Sequence, residues 1–195
     1  MESVKNRKKT IRNDIAQILE GLTSEEVSEK TTSITERVCG FANFLEAKMV
    51  LIYLARANEV STMGIIEKCL LYDKIVVIPT FGTDTFDIKL FKIGNIDLDL
   101  KTGANGVMEV DVKKCKVVSI EFVNIAIIPG LVFDEKGGRA GEGDGYYDRL
   151  IPKLPNTTRK VALAFENQVV PQVPMESHDK QVDIIITNKR IIYKI

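Results

Sequence analysis

Five apolar runs, at residues 49–54, 75–79, 125–128, 161–165 and 184–187, constrain this chain more than any other feature. Each is apolar at successive positions rather than alternate ones, the pattern of a strand covered on both faces. The stretches 61–72 and 146–154 can supply crossover helices between some of these strands. Two helices open the chain. Residues 4–20 carry Val4, Ile11, Ile15, Ile18 and Leu19 at helical spacing, and Thr23-Ser24-Glu25-Glu26 offers capping chemistry for a second helix running toward Phe44. The alternating Phe86-Asp87-Ile88-Lys89-Leu90-Phe91 predicts a half-exposed strand, either an antiparallel edge or a hairpin arm. Lys101–Gly106 is the loosest internal region and reads as a surface loop. The sum is an α/β sandwich.

The richest chemistry lies in residues 137–149, which hold five of the 13 glycines, Arg139 and Arg149, three acids and the pair Tyr146-Tyr147. The segment follows the apolar run ending at Pro129 and precedes a helix start at Tyr147-Asp148-Arg149. A strand, a glycine loop and a helix N-terminus together favour an anion, because free backbone N–H groups converge where no side chain blocks approach. Neither the dinucleotide fingerprint nor the Walker loop is present. A mobile surface loop would share the glycines, but it would not call for Arg139, Tyr146, Tyr147 and Asp148 together. Arginine forks onto phosphate, tyrosines give ring faces and hydroxyls, and a carboxylate can hold magnesium on phosphate oxygens.

Lys8 and Arg12 stand four residues apart on one face of the first helix, so their cationic ends can point together. A solvated basic helix edge is the alternative reading.

With 195 residues, 45% hydrophobic and 28% charged, the chain suits one domain spanning 1–195. Its net charge is +0 and its pI about 6.6, so no basic field recommends nucleic acid or an anionic membrane. No apolar run approaches a membrane span and the charged N-terminus lacks a signal-peptide core, so a cytoplasmic protein is expected. Cys39, Cys69 and Cys115 have no paired spacing, and the single histidine is His178. Neither a disulfide framework nor a zinc site can be read from them. Cys115 lies among Lys113, Lys114 and Lys116, which can lower a thiol pKa, but an incidental thiol in a surface turn is the reading preferred. His178 reads as a solvated loop residue.

The glycine segment resembles the signature of the 5-formyltetrahydrofolate cyclo-ligases, also called methenyltetrahydrofolate synthetases. That signature is an apolar strand ending in Pro-Gly, then Phe-Asp, a Gly-Tyr-Arg-Leu-Gly step and a Gly-x-Gly-Tyr-Tyr-Asp-Arg close. Here it stands as Ile128-Pro129-Gly130-Leu131-Val132-Phe133-Asp134, Gly137-Gly138-Arg139-Ala140-Gly141 and Gly143-Asp144-Gly145-Tyr146-Tyr147-Asp148-Arg149. Weaker correspondences run in order along the chain: Lys8 to Arg12, Glu59-Val60-Ser61-Thr62, Gly106 to Val110, Val161 to Phe165 with Gln168, and Pro174, Asp179 and Val182 to Thr187.

The resemblance implies a three-layer α/β sandwich with a mostly parallel central sheet, like that of the sugar-phosphate isomerases. It implies an ATP-dependent ligase that phosphorylates the formyl oxygen of 5-formyltetrahydrofolate and closes the ring to 5,10-methenyltetrahydrofolate, releasing ADP and phosphate. By resemblance, Lys8, Arg12, Arg139, Gly141, Gly143, Asp144, Gly145, Tyr146 and Tyr147 bind ATP, with Arg139, Tyr147 and Asp148 catalytic. Asp148 and Asp179 would hold Mg2+. Arg56, Glu59, Ser61, Glu142 and Tyr146 would take the reduced folate. The expected partners are these small molecules alone, with the protein a monomer or weak homodimer.

This chain departs from the family pattern at several positions. Arg56 replaces an apolar residue, Ser61 an acid, Gly138 a tyrosine, Ala140 a leucine, Val110 a proline, and Asp144 a lysine or glycine. A carboxylate at Asp144 repels ATP unless it is neutralised or points away. A catalytically weak or inactive folate- or nucleotide-binding sensor on the same fold is therefore the alternative. A sugar-phosphate isomerase would need an acid/base pair, and none is evident.

Overall fold

The computed structural model describes residues 3–82, 87–103 and 106–194. Helix α1 (Val4–Glu20) begins where the Ser3 hydroxyl accepts the Asn6 N–H, and α2 (Ser24–Cys39) begins at a capping box formed by Thr23 and Glu26. The helix expected to run toward Phe44 stops at Gly40, and a separate short α3 (Ala42–Glu46) comes next. Strand β1 (Met49–Leu51) then leads to α4 (Met63–Leu71) and β2 (Ile75–Phe81).

Beyond these lie β3 (Ile88–Ile93), α5 (Ile96–Asp99), β4 (Leu100–Thr102), β5 (Met108–Val110) and β6 (Lys116–Val118). Strands β7 (Ile125–Ile128), β8 (Val132–Asp134) and β9 (Arg139–Ala140) precede α6 (Tyr146–Leu150). The chain closes with β10 (Arg159–Ala164), β11 (Val169–Val170), β12 (Ile184–Thr187) and β13 (Ile191–Tyr193).

Among the described residues the main sheet has eight strands in the order β13-β12-β10-β7-β1-β2-β3-β6. The five central strands, each built on one of the apolar runs, are parallel. Strands β13, β3 and β6 add antiparallel edges, so the sheet is mixed. Phe86 lies outside the described residues, but Ile88–Ile93 forms the expected hairpin arm, pairing with Ile75–Phe81. The expected loop at Lys101–Gly106 is in part a hairpin: Lys101 and Thr102 pair with Glu109 and Met108, and Gly106 turns at φ +74. Ala104 and Asn105 lie outside the described residues. Cross-strand pairing outweighs a local sequence of turn formers here.

Alternation explains why the central strands are apolar throughout. Val50, Val76, Ile78, Ile125, Ile127, Val161, Leu163, Ile184 and Ile186 pack toward α1, α2 and α4 in one buried cluster with Ile15, Ile34, Val38, Ile65 and Ile66. Their neighbours Leu51, Val77, Ala126, Ile128, Ala162, Ala164 and Ile185 form a second cluster with Phe133, Leu150 and Leu154. Both faces are covered, the second by little more than α6, its succeeding 3-10 turn and the β8–β9 hairpin. Pro152, in that turn, has no N–H with which to continue a helix.

The strand order reverses direction between β1 and β7: the chain proceeds from β1 to β2 on one side and from β7 through β10 to β12 on the other. Loops leaving the carboxyl ends of two such strands diverge and open a crevice. The 52–62 loop and the Pro129–Gly145 segment leave β1 and β7 at that point.

Candidate active site

Each wall of the crevice is braced locally. After β1, the Tyr53 hydroxyl donates to the Val60 carbonyl at 2.9 Å and the Thr62 hydroxyl donates to the Tyr53 carbonyl at 2.6 Å. The loop between them turns at Asn58 with φ +67, and the Arg56 N–H donates to Glu59 Oε2 at 2.9 Å. On the other wall, buried Asp134 accepts the N–H groups of Lys136 and Gly138 on Oδ1 and that of Val173 on Oδ2. This ties the β8–β9 turn to a distant strand of chain. A Cβ on Gly138 would overlap the Asp134 carboxylate, so the smaller residue at the position where the family shows tyrosine is matched to this network.

That turn delivers Arg139, which is 5% exposed. Its Nη1 donates to the Pro129 carbonyl at 3.1 Å and its Nη2 to Asp148 Oδ1 at 2.9 Å. Asp148 Oδ1 also accepts the Lys180 N–H at 2.8 Å. The loop Gly141–Gly145 passes between these anchors and bends through φ +121 at Gly143 and φ +66 at Gly145, values that favour glycine. Tyr146 and Tyr147 come next, their rings 4.8 and 5.3 Å from that of Phe81 at the end of β2. Burial pushes the Tyr147 phenol well above its ordinary value, Glu59 adding to the effect, so the hydroxyl stays protonated.

A cleft of about 1360 Å³ joins these walls. Lys8, Arg12, Arg56, Glu59, Arg139, Gly141, Glu142, Gly143, Asp144, Gly145, Tyr146, Tyr147, Asp148 and Asp179 all line it, so the chain brings together residues separated by more than half its length. Ser61 stands apart: it is exposed at the end of the β1 loop and is not among the residues lining the cleft, while its neighbour Thr62 is buried bracing the loop. The Nε atoms of Arg12 and Arg139 are buried without an acceptor among the described residues. Arg56 Nη1 meets Glu142 Oε2 at 2.5 Å across the cleft mouth, tying the β1 loop to the glycine loop. Exposed Asp144 lies near enough to reinforce the charge of Arg56. Burial raises the Glu59 carboxyl above its usual range; the Arg56 N–H opposes that and the Glu142 charge adds to it.

The two acids expected to hold magnesium have different surroundings. Asp179 groups with Glu176 and His178, their ligand atoms within 4.8 Å of one another, whereas Asp148 lies outside that group and holds Arg139. Carboxylate oxygens suit magnesium, which is commonly held by one or two of them together with substrate phosphates, so Asp179 and Glu176 fit that cation. Burial pushes the Asp179 carboxyl up, but the Glu176 N–H, Lys8 and His178 outweigh it and leave it below its ordinary value. Glu176 and His178 are ligand candidates that sequence reasoning misses, although their spacing before Asp179 is a usable signal. Glu109, also in the cleft wall, lies within the Gly106 to Val110 correspondence, whereas Phe81 carries no local signal. Cys115 is half-buried; burial, then Asp99 and Asp111, raise its thiol against the opposing Lys114, which favours the incidental reading. No helix is long and apolar enough to cross a membrane among the described residues.

A model of the 5-formyltetrahydrofolate cyclo-ligase family matches residues 4–188. The 5-formyltetrahydrofolate cyclo-ligase of Mus musculus is 31% identical over 193 residues, covering 94% of this chain and 95% of the relative. That of Haemophilus influenzae is 28% identical over 182 residues, covering 92% and 97%. The solved structure of Aquifex aeolicus 5,10-methenyltetrahydrofolate synthetase is similar with a TM-score of 0.82 at 27% identity, covering 95% of this chain and 92% of that one. A 5,10-methenyltetrahydrofolate synthetase from Mycoplasma pneumoniae, 22% identical, shares the fold with a TM-score of 0.73, covering 93% and 98%.

Proposed function

This chain belongs to the 5-formyltetrahydrofolate cyclo-ligase family, and we propose that it catalyses the ATP-dependent cyclisation of 5-formyltetrahydrofolate to 5,10-methenyltetrahydrofolate, with release of ADP and phosphate. The observation that carries this reading is the convergence of Lys8, Arg12, Arg139 and the glycine loop with the half-buried Glu59 and the Phe81–Tyr146–Tyr147 platform in one cleft. Its volume exceeds the roughly 300–1,000 Å³ of a pocket for one drug-sized ligand, which supports two ligands bound side by side.

In this reading the formyl oxygen attacks the γ-phosphorus of ATP and ADP leaves. The second folate nitrogen then attacks the formyl carbon, and the phosphate departs with the formyl oxygen as the methenyl bridge forms and that nitrogen loses its proton. No protein nucleophile is needed, so the residues act by position and charge. Lys8, Arg12 and Arg139 neutralise the moving phosphoryl charge, Asp148 holds Arg139 at the loop, and the protonated Tyr147 hydroxyl remains a donor. Gly141, Gly143, Asp144 and Gly145 border the nucleotide, Tyr146 lies between nucleotide and folate, and Arg56, Glu59 and Glu142 face the folate. Magnesium would be held by Asp179 with Glu176 and would supply charge neutralisation for the phosphates. We place the enzyme in the cytoplasm as a monomer or weak homodimer.

The test is to mix the purified protein with ATP, magnesium and 5-formyltetrahydrofolate and measure methenyl absorbance together with ADP. Equal yields of the two products are expected. ADP without methenyl product, or neither, overturns the assignment.

A further inference from the structure

We propose that Lys8 is a placeholder for the divalent cation: it neutralises Glu176 and Asp179 while the nucleotide is absent, then moves its charge to the phosphates and frees those carboxylates for the metal. This role of Lys8 rests on the cleft being a nucleotide site.

Lys8 differs from the other basic residues of α1. Lys5, Arg7 and Lys9 are exposed, whereas Lys8 is 6% exposed. An ammonium so buried needs carboxylates. It has two, since Nζ donates to Asp179 Oδ2 and to Glu176 Oε2, the latter at 3.3 Å. Both acids belong, with His178, to the group whose ligand atoms lie within 4.8 Å of one another. His178 Nε2 stands 3.8 Å from Glu176 Oε2 and 3.7 Å from Asp179 Oδ1. The ammonium therefore bridges the two acids that would share a divalent cation.

Two carboxylates and one ammonium leave a deficit of one positive charge, which a divalent cation fills only if Lys8 departs; both cations on the same oxygens would repel at contact range. A nucleotide provides somewhere for Lys8 to go. Its flexible four-carbon stem lets the ammonium move while the helix stays anchored by buried Ile15 and Leu19. Asp179 keeps the Glu176 N–H when Lys8 leaves, at 2.5 Å, so its carboxylate remains oriented. Metal alone is thus disfavoured, nucleotide and metal bind as a pair, and each strengthens the other by the same factor.

The experiment titrates Mn2+ alone into nucleotide-free protein, read by electron paramagnetic resonance of the free ion and by calorimetry. Lys8→Met should bind Mn2+ at least about tenfold tighter than the unmodified protein, because the competing buried charge is gone. Lys8→Met combined with Asp179→Asn should lose that gain. Should Lys8→Met fail to fold, Lys8→Gln keeps a donor toward Asp179 and is expected to show the same gain. A folded neutral variant that binds Mn2+ no tighter than the unmodified protein overturns the proposal. These arms use no nucleotide, so failure of a nonhydrolysable ATP analogue to bind would count against the cyclo-ligase reading separately.

Discussion

Arg139 and Asp148 meet through Nη2 and Oδ1 at 2.9 Å from the two ends of the glycine loop, with 4% and 17% of their side chains exposed. The pair closes the loop Gly141–Gly145 at its base, and the Lys180 N–H on the same carboxylate oxygen links that closure to the segment carrying Asp179. A cation at the site is thereby fixed by an anion that sits outside the Glu176–His178–Asp179 group.

Asp148→Asn keeps an acceptor for Arg139 but loses the charge that orients it. Turnover should fall on the order of 10²-fold, the scale expected when a positioned group is displaced. The melting temperature should fall less than in Asp148→Ala, which leaves a buried guanidinium without its counter-ion at a cost of about 3 kcal/mol. Steady-state kinetics and thermal melts of both variants check the ordering. Unchanged kinetics in Asp148→Asn would remove the pair from the reaction.

Gly138→Ala should destabilise without touching the cleft directly. The added methyl meets Asp134, whose carboxylate holds the N–H groups of Lys136, Gly138 and Val173. A loss of about 2 kcal/mol, or roughly 4–8 °C in melting temperature for a chain of this size, is expected. Calorimetry decides it, and a melt within a degree of the unmodified protein would show that Asp134 yields freely.

Glu59→Gln should stabilise the protein at neutral pH. The folded carboxyl sits above its usual 4.5, so folding favours its proton; that stability is present below the unfolded value and lost as pH rises through the folded one. Glutamine keeps an acceptor for the Arg56 N–H and never ionises. Melting temperature at pH 7 should rise, with the gain vanishing below about pH 4. Melts across this range would contradict the account if the gain persisted in acid. Activity should drop, since Glu59 faces the folate in the proposed arrangement.

Arg56→Ala should leave stability almost untouched, because both partners of the Arg56–Glu142 pair are well exposed at 51% and 39%. Such pairs contribute about 0–1 kcal/mol. The KM for the folate should rise and kcat change less. Kinetics at two ionic strengths would check that the tie across the cleft mouth is electrostatic, with the difference between variant and unmodified protein shrinking in salt.

Much of this architecture is legible in the chain because it is encoded locally. Helix α1 runs over the same 4–20 span that its apolar spacing predicts, Thr23 and Glu26 form a reciprocal cap, and each of the five parallel strands lies on one of the apolar runs, although β1 stops at Leu51 where the run continues to residue 54. The limits arise where partners are distant. Lys101 and Thr102 are strand only because Glu109 and Met108 pair with them, and β13 is short and lies close behind β12 in sequence, so neither has a periodicity to read. Glycine-loop residues reach the cleft as their motif implies, while Ser61 does not: its position is set by Thr62 turning inward to the Tyr53 carbonyl. The Lys8 contacts with Glu176 and Asp179 span 168 and 171 residues, a distance no local pattern reports.

The central claim is that the γ-phosphoryl group of ATP passes to the formyl oxygen within this cleft, and isotope transfer tests it most directly. With 5-formyltetrahydrofolate carrying 18O in the formyl group, the released phosphate should contain one labelled oxygen for each methenyl product formed. Phosphate released without the label, in step with product, would contradict the account.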